Sequence, residues 1–281
     1  MAITRRKALI TGASGGMGKA CARLLGTTQD LVLTDASPKL AQFAEELQAE
    51  GYTVTGVHQG DLGSAALLSA IMADMQQGDL PLTLIHTAGL SPSLAKAEPI
   101  MQVNLVATVR LLDAIEPLLR SGSAAVMIAS TAGHLMPQIP EAATLMADPL
   151  APDFMANIMA LMNGMAQGDA EKLAGISYSL SKQAVLALTQ RRAIAWGPLG
   201  ARISSISPGM ILTPMGQKEV QTPGGAAMQN AAPLGRPGVA SDIALAAQFL
   251  VSAEASFISG CDLLVDGGSI AAFRQGAAKI G

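Results

Sequence analysis

Charged side chains are scarce in this chain of 281 residues, where Asp, Glu, Lys and Arg make up only 14% of the sequence. A chain with so few charges is expected to bury much of its length in a core or an interface. Basic residues are not in excess either, because the formal net charge is -3. The composition therefore offers no broad basic surface for nucleic acid, and we expect no nucleic-acid partner.

Long apolar runs are also missing. The sequence has no uninterrupted apolar stretch of about 18 residues, so we expect no membrane span. Met1–Lys7 is partly basic but precedes no apolar segment of signal-peptide length, which predicts a protein that is not exported. The two cysteines, Cys21 and Cys261, form no motif, and small packed thiols fit a reduced, cytoplasmic setting.

Apolar residues, by contrast, make up 50% of the chain and recur as short β-type runs separated by helical segments. This alternation predicts a parallel sheet covered by helices on both faces, hence a doubly wound α/β (Rossmann) fold. We expect a single domain over residues 1–281, with ligands at the carboxyl ends of the strands. The predicted strands are Lys7–Thr11, Leu31–Asp35, Tyr52–His58, Leu82–Thr87, Ala124–Ser130, Arg202–Ser207 and Leu263–Asp266. The predicted helices include Gly16–Gly26, one starting near Pro38, Pro99–Arg120, Ser177–Trp196 and Ser241–Ser252.

Two long segments interrupt the alternation. Residues 134–174 are rich in methionine, and residues 209–238 are rich in Pro and Gly, which predicts a mobile substrate loop. The first segment is expected to be an inserted helical segment, and two interpretations of it stay open. In the first, its helix packs on its own domain or on a second subunit. In the second, the helix forms one wall of an apolar pocket and the loop methionines form the other wall. The stripe expected on this helix is Phe154, Ile158, Leu161 and Met165, and the loop methionines are Met210, Met215 and Met228.

A glycine-rich motif, TGASGGMG at Thr11–Gly18, directly follows the first strand and opens a helix. Gly12 allows a tight turn, Gly16 lets the backbone approach a pyrophosphate, and Gly18 permits close packing of helix on strand. The helix N-terminus supplies free N–H groups, to which Ser14 can add a hydroxyl. The strand–loop–helix context favours a dinucleotide site over an ordinary glycine-rich turn.

Asp35 ends the second strand, close to where an acidic group meets the adenine ribose. A carboxylate there accepts hydrogen bonds from the ribose hydroxyls and repels a 2′-phosphate. The glycine loop holds no Arg or Lys, although Lys39 lies nearby, so we predict NAD rather than NADP. The alternative is that Asp35 caps the helix starting near Pro38.

Tyr178 and Lys182 lie four residues apart near the start of a predicted helix, which places them on one face. A nearby ammonium and the positive end of a helix both favour the phenolate. We therefore expect Tyr178 to transfer protons near neutral to mildly alkaline pH. The pattern alone is common, and a chance surface pair is the alternative.

Taken in order along the chain, these motifs resemble the short-chain dehydrogenase/reductase family over nearly the whole length. The glycine motif, an Asp after the third strand, a Ser after the fifth, the Tyr–Lys pair, a Pro-Gly pair and a late Asp-Gly-Gly all occur in family order. The resemblance implies hydride transfer between a nicotinamide cofactor and an alcohol or ketone carbon. It assigns Tyr178 as acid/base, Ser130 as oxyanion donor, Lys182 as ribose ligand and Asn104 as support for a proton path.

The same resemblance implies a cofactor site along the strand ends. Asp61-Leu62 would contact the adenine, and Ala88-Gly89 would leave room for the cofactor to lie over the fourth strand. Ser207–Gly209 with Thr213 would hold the carboxamide side of the nicotinamide. The late motif Val265–Gly268 is expected to be structural, and no metal site is expected. The expected cofactor-binding residues are Gly12, Ser14, Gly16, Met17, Gly18, Asp35, Asp61, Leu62, Ala88, Gly89, Tyr178, Lys182, Pro208, Gly209, Ile211 and Thr213.

Two departures from the family pattern concern the site. His86-Thr87-Ala88-Gly89 replaces the usual Asn-Asn-Ala-Gly, and we expect His86 to be structural rather than catalytic. Ser130 and Tyr178 lie 48 positions apart, where the family commonly leaves about a dozen. Thr131 is therefore an alternative to Ser130, but the spacing of Ser130 and Gly133 favours Ser130.

Within the family, the segment before Tyr178, the run AWGPLGAR at Ala195–Arg202 and the late Asp-Gly-Gly resemble bacterial 3α-hydroxysteroid dehydrogenase/carbonyl reductases. This implies a bulky alicyclic or steroid-like alcohol or ketone and a homodimer or homotetramer. The alternatives are an enzyme for a smaller carbonyl or alcohol and a non-catalytic NAD-binding sensor. A nucleotide-sugar epimerase or dehydratase would have a longer chain, and an interaction role of residues 134–174 could coexist with catalysis.

Overall fold

Seven parallel strands form one sheet within residues 5–76 and 78–278, the residues that the computed structural model describes. Along the sheet, the first three strands appear in reverse order and the last four follow in chain order. The order is β3-β2-β1-β4-β5-β6-β7. This confirms the doubly wound parallel sheet. The strands are β1 (Lys7–Thr11), β2 (Asp30–Asp35), β3 (Val54–Gln59), β4 (Thr83–His86), β5 (Ala124–Ile128), β6 (Arg202–Pro208) and β7 (Asp262–Val265).

Helices cover both faces of the sheet, so nearly every residue of the inner strands is buried. In β1, Leu9 packs in the core on one face, whereas Ala8 and Ile10 pack in the core on the other. The helices are α1 (Gly16–Gly26), α2 (Leu40–Ala49), α3 (Ala65–Met75), α4 (Ala97–Met101), α5 (Thr108–Ile115), α6 (Thr131–Leu135), α7 (Pro140–Leu145), α8 (Phe154–Ala166), α9 (Ala170–Trp196), α10 (Pro214–Glu219), α11 (Pro223–Asn230), α12 (Ala240–Val251) and α13 (Ser269–Arg274).

The strand order reverses between β1 and β4, which are neighbours in the sheet. The connections that follow these two strands leave in opposite directions and open a crevice at the carboxyl edge. The glycine motif follows β1 and Ala88-Gly89 follows β4, so both border this crevice.

Helix α9 begins at Ala170, seven residues before the predicted start at Ser177. The Asp169 carboxylate accepts a hydrogen bond of 3.0 Å from the Lys172 backbone N–H and caps the helix there. Tyr178 therefore lies in the third turn of α9, whereas the helix dipole acts most strongly in the first turn. The expectation that the start of the helix favours the Tyr178 phenolate was wrong.

The predicted helix Pro99–Arg120 is a chain of shorter pieces. A π-helical turn, Gln102–Ala107, separates α4 from α5, and a short 3₁₀ turn, Glu116–Leu118, follows. Such turns inside helices are frequent at functional sites. This one carries Asn104.

Residues 134–174 include α7 and α8, and α8 packs on its own domain. Its buried face consists of Phe154, Ile158, Met162 and Ala166, spaced four apart as one side of a helix requires. Leu161 and Met165, which we expected in the stripe, are only half-buried. The face joins the core that includes Leu180 and Leu188 of α9.

Residues 209–238, predicted as a mobile loop, contain the two short helices α10 and α11. Each begins with a Thr-Pro pair, and the Thr hydroxyl caps the helix. Thr213 Oγ1 accepts from the Gly216 N–H at 3.1 Å, and Thr222 Oγ1 accepts from the Gly225 N–H at 3.1 Å.

Candidate active site

A cavity of about 360 Å³ opens at the carboxyl edge of the sheet. It brings together three of the four predicted catalytic residues, whereas Asn104 lies behind the wall. Its floor comes from the ends of β4, β5 and β6, one side from α9, and its cover from α10 and α11. The predicted residues that line it are Met17, Gly89, Ser130, Tyr178, Lys182, Pro208, Gly209, Ile211 and Thr213.

Ser130 follows β5 and shares a hydrogen bond with the Tyr178 side chain. Its Oγ also accepts from the Ala132 N–H at 3.2 Å, capping α6. The neighbouring Thr131 hydroxyl instead donates to the Pro208 carbonyl oxygen at 3.2 Å. Of the two hydroxyls, the one of Ser130 is therefore the one that faces Tyr178.

Gly133 explains how α6 approaches α9 closely enough for this contact. A Cβ at Gly133 would lie 2.9 Å from the backbone of Lys182 and Gln183, closer than real Cβ atoms come. A larger residue would push α6, and with it Ser130, away from Tyr178.

Lys182 lies one turn after Tyr178 on α9, with its Nζ 5.7 Å from the centre of the tyrosine ring. The ammonium donates a hydrogen bond of 2.8 Å to the Ile128 carbonyl oxygen at the end of β5. The side chain is buried, yet Nζ borders the cavity. Its remaining N–H groups are thus available to a ligand there.

Burial is the largest influence on the pKa of both Tyr178 and Lys182. It raises the pKa of Tyr178 well above its usual value, the negative charge of Glu219 adds to this, and the hydrogen bond from Ser130 opposes it. Burial lowers the pKa of Lys182 to about 8, although the negative charge of Glu219 acts to raise this pKa. The net shift of the Tyr178 pKa is therefore upward in this pocket, and the lowering of that pKa by Lys182 stays a prediction.

Asn104 lies behind the cavity wall and positions the chain after β4. Its Oδ1 accepts from the Leu90 N–H at 2.7 Å, and its Nδ2 donates to the Leu90 carbonyl oxygen at 2.9 Å and to Ser181 Oγ at 3.2 Å. Both ends of the amide are thus used by protein groups. The proton path proposed behind Lys182 stays a prediction.

The glycine loop has the shape that a pyrophosphate site needs. Gly12 has a φ of +61°, which side chains rarely adopt, and a Cβ there would lie 2.7 Å from the Ala88 N. A Cβ on Gly18 would collide with the Gly12 carbonyl oxygen. Gly16 opens α1 and faces Thr213. These residues fit a dinucleotide lying across the ends of β1 and β4.

Asp35 and Ser14 form a small network at the end of β2. One carboxylate oxygen accepts from the Ser14 N–H at 2.9 Å and from Ser14 Oγ at 2.6 Å, and the other accepts from the Ser37 N–H at 2.9 Å. Helix α2 begins at Leu40 with Lys39 as its N-cap, so Asp35 does not cap it. Ser14 points to this carboxylate rather than into the loop.

The remaining predicted cofactor residues border the same edge. Asp61 is exposed after β3, where its Oδ1 accepts from the Gly63 N–H at 2.8 Å, and Leu62 is buried beside it. The Ala88 N–H donates to Thr11 Oγ1 at 3.2 Å. A Cβ on Gly89 would lie 3.5 Å from Lys182 Nζ, so this glycine leaves the ammonium accessible.

His86 is buried at the end of β4 and is tied on both sides to hydroxyls. Its Nδ1 lies 2.8 Å from Thr11 Oγ1 on β1, and its Nε2 lies 2.8 Å from Thr108 Oγ1 on α5. Burial and the charge of Lys182 lower its pKa to about 3. A neutral imidazole that links a strand and a helix fits the expected structural role.

One lining residue was missed by the sequence analysis. Glu219, at the end of α10, reaches into the cavity, shares a hydrogen bond with Ser91 and interacts electrostatically with Tyr178 and Lys182. No motif or spacing signals it, because the contact depends on how α10 folds over the strand ends.

Two absences concern the part of the chain that the structure describes. Its acidic, His and Cys side chains form no group of three or more that could hold a metal ion. In that same part, no helix has the length and apolar character that crossing a membrane requires.

Comparison with known proteins agrees with this geometry. Residues 6–143 match the family described as short chain dehydrogenase, and residues 141–269 match the family described as Enoyl-(Acyl carrier protein) reductase. The chain is 30% identical to a short-chain dehydrogenase/reductase, bsc3, of Alternaria brassicicola, over 94% of this chain and 95% of that protein. The chain belongs to the short-chain dehydrogenase/reductase family.

Two further relatives fall in the branch that the motifs indicated. The chain is 30% identical to the 3-alpha-hydroxysteroid dehydrogenase/carbonyl reductase of Comamonas testosteroni, over 81% of this chain and 91% of that protein. The crystal structure of the 3-alpha-hydroxysteroid dehydrogenase from Pseudomonas sp. B-0831, complexed with NADH, superposes with a TM-score of 0.74 at 27% identity. It covers 96% of this chain and 98% of that one. The resemblance inferred from the motifs is thereby confirmed, and the chain is an oxidoreductase of this family.

Proposed function

We propose that the protein is an NAD-dependent oxidoreductase that interconverts a secondary alcohol and a ketone. One observation carries the proposal: Ser130, Tyr178 and Lys182 meet at one cavity at the ends of the sheet strands. The nicotinamide cofactor, when bound, supplies or accepts the hydride. The protein's part is to hold the substrate oxygen and to move its proton.

In ketone reduction, the Tyr178 phenol would donate its proton to the substrate oxygen, and Ser130 would donate a second hydrogen bond to it. One such preorganised donor contributes about 3–4 kcal/mol to transition-state stabilisation. In alcohol oxidation the proton returns to the Tyr178 oxygen. Because burial raises the pKa of this phenol, its neutral form is the starting state that suits reduction.

Lys182 would hold the nicotinamide ribose. The Ile128 carbonyl oxygen fixes its ammonium next to Gly89, where no side chain blocks the approach. This leaves N–H donors directed at the cavity, which suits binding of hydroxyl oxygens. Pro208, Gly209, Ile211 and Thr213 would then flank the nicotinamide ring, since all four line the cavity opposite α9.

The preference for NAD rests on Asp35. Its carboxylate stands at the end of β2, fixed by Ser14 and Ser37, and would accept hydrogen bonds from the adenine ribose hydroxyls. A 2′-phosphate there would meet a negative charge without an Arg or Lys from the glycine loop to neutralise it.

A bulky alicyclic or steroid-like substrate is the class we favour. Apolar side chains from α10, α11, the segment after β6 and the chain after β4 line the cavity. The three loop methionines predicted to wall a pocket all take part. The predicted opposite wall from α8 was wrong, because its apolar face is buried in the core. The apolar wall consists of Leu90, Pro92, Met210, Met215 and Met228.

A smaller alcohol or carbonyl substrate is the second candidate. The observation that favours it is Glu219, a carboxylate inside the cavity that suits substrates with further hydroxyl groups. A non-catalytic NAD sensor is less well supported, since such proteins typically lack the Tyr or the Lys, and this chain has both as Tyr178 and Lys182.

We further propose a homodimer or homotetramer, which light scattering can test. We also propose a cytoplasmic location, since the free thiols of Cys21 and Cys261 fit a reducing compartment.

A substrate panel tests the proposal. Purified protein is assayed with steroids, cyclic and terpenoid alcohols, polyols and short linear alcohols, with the matching ketones and with both nicotinamide cofactors, by following the absorbance of the reduced nicotinamide. We expect turnover of cyclic secondary alcohols with a higher kcat/KM for NAD. Activity confined to short linear alcohols would contradict the bulky substrate, and higher kcat/KM with NADP would contradict the cofactor.

A further inference from the structure

Glu219 gives the cavity an acidic group that the catalytic chemistry does not require. Of the described residues that line the cavity, only Lys182 and Glu219 carry a formal charge. Lys182 belongs to the reaction side, beside Tyr178. The carboxylate of Glu219 therefore sets the charge of the part of the cavity that faces α10.

The fold fixes the backbone of Glu219 at the end of α10. Its backbone carbonyl oxygen accepts from the Thr222 N–H at 2.9 Å and from Thr222 Oγ1 at 2.7 Å. The next helix packs so closely that a Cβ on Gly225 would collide with this same oxygen. The turn between α10 and α11 thus fixes the position from which the side chain enters the cavity.

A line of hydroxyls continues from the carboxylate. Ser91, fully buried, shares a hydrogen bond with Glu219, and its Oγ lies 3.0 Å from Ser93 Oγ. Ser93 borders the cavity. Glu219, Ser91 and Ser93 form a polar strip beside the apolar side chains of the same two segments, and we name it the acidic strip.

We propose that the acidic strip, through Glu219, determines substrate charge: the enzyme accepts uncharged alcohols and ketones with a second hydroxyl and excludes substrates with a carboxylate or phosphate. The proposal rests on the proposed oxidoreductase function. A half-buried carboxylate is poorly screened, so a second negative charge brought into the same cavity is repelled strongly. A hydroxyl in the same place donates a charge-assisted hydrogen bond to the carboxylate.

The test compares two ketones with one skeleton, a hydroxy-substituted cyclohexanone and the matching cyclohexanone carboxylate. For each, kcat/KM is measured with NADH, and Kd is measured by calorimetry on enzyme saturated with NAD. The variant Glu219→Gln removes the charge but keeps a side chain that can bind Ser91. The control Glu171→Gln removes the same charge from an exposed position at the start of α9.

We expect wild type and Glu171→Gln to prefer the hydroxy ketone, and Glu219→Gln to reduce that preference by at least about tenfold in both kcat/KM and Kd. An equal loss on both ketones, or a ratio within about twofold of wild type, would overturn the proposal, because a merely structural Glu219 predicts that result. If wild type turns over no alcohol or ketone, the proposed function fails, and the Kd ratio still decides the role of Glu219.

Discussion

The buried histidine of β4 gives a sharp prediction about stability in acid. His86 is held between the hydroxyls of Thr11 and Thr108, and burial together with Lys182 lowers its pKa to about 3. In the unfolded chain a histidine has a pKa of about 6.5. Between these two pH values the unfolded chain binds a proton at His86 that the folded protein does not bind. The contribution of neutral His86 to the free energy of unfolding is therefore fully present above about pH 6.5 and is lost as the pH falls.

The size of this loss follows from the two pKa values. One pKa unit corresponds to about 1.4 kcal/mol, so this group alone removes about 2.5 kcal/mol of unfolding free energy between about pH 6 and pH 4. A loss of this size is a large fraction of the stability of a typical protein. It adds to whatever the carboxyl groups contribute, and for that reason the measurement compares two proteins that share those carboxyl groups.

The variant is His86→Asn, which keeps a polar side chain between the two threonines but cannot titrate. Urea unfolding followed by circular dichroism at several pH values gives the unfolding free energy. We expect the wild-type curve to fall by about 2.5 kcal/mol more than the variant curve between about pH 6 and pH 4. The control Thr108→Ser keeps both the hydroxyl and His86, so it should keep the wild-type slope whatever its stability at neutral pH. Parallel curves for wild type and His86→Asn would refute the argument.

Two further predictions concern the cofactor and α8. Asp35→Ala should lower the preference for NAD over NADP in kcat/KM by at least about tenfold, because the charge that repels a 2′-phosphate is lost; an exposed control, Asp148→Ala, should keep the wild-type ratio, and an unchanged ratio in Asp35→Ala would remove Asp35 from cofactor choice. Phe154→Ala should cost about 3–5 kcal/mol of unfolding free energy, because this side chain is buried in the core. Asn157→Ala, on the exposed side of the same helix, should change it by only about 0.5 kcal/mol, and a similarly small loss for Phe154→Ala would contradict the packing of α8.

The features that sequence predicts well are those set by local pattern. Apolar runs placed β1 correctly because both faces of this strand are buried, which leaves an uninterrupted signal. The glycine spacing after β1 and the four-residue spacing of Tyr178 and Lys182 likewise fix geometry locally. The structure brings these groups to one edge of the sheet because all strands are parallel.

Several helix starts carry local sequence signals of their own. Thr213-Pro214 and Thr222-Pro223 are N-cap and first-turn pairs that predict helices inside the presumed loop. Asp169 similarly marks the start of α9. In each case an N-cap hydroxyl or carboxylate indicates where a helix begins.

Other features depend on contacts between distant segments. The pKa of Tyr178 is set by burial and by Glu219, which lies on a different element and belongs to no motif. The buried face of α8 includes Met162 rather than Leu161 because α9 decides which side is covered. Spacing along the chain carries no information about such contacts.

The central claim is that the Tyr178 phenol transfers the substrate proton, and Tyr178→Phe tests it most directly. Turnover of the best alcohol and ketone is measured for wild type and variant, and the Kd for NADH is measured by calorimetry on the same preparations. We expect turnover to fall by about 100- to 10,000-fold, with the Kd for NADH changed by no more than about twofold. A variant that binds NADH normally and keeps a large part of the wild-type turnover would contradict the claim.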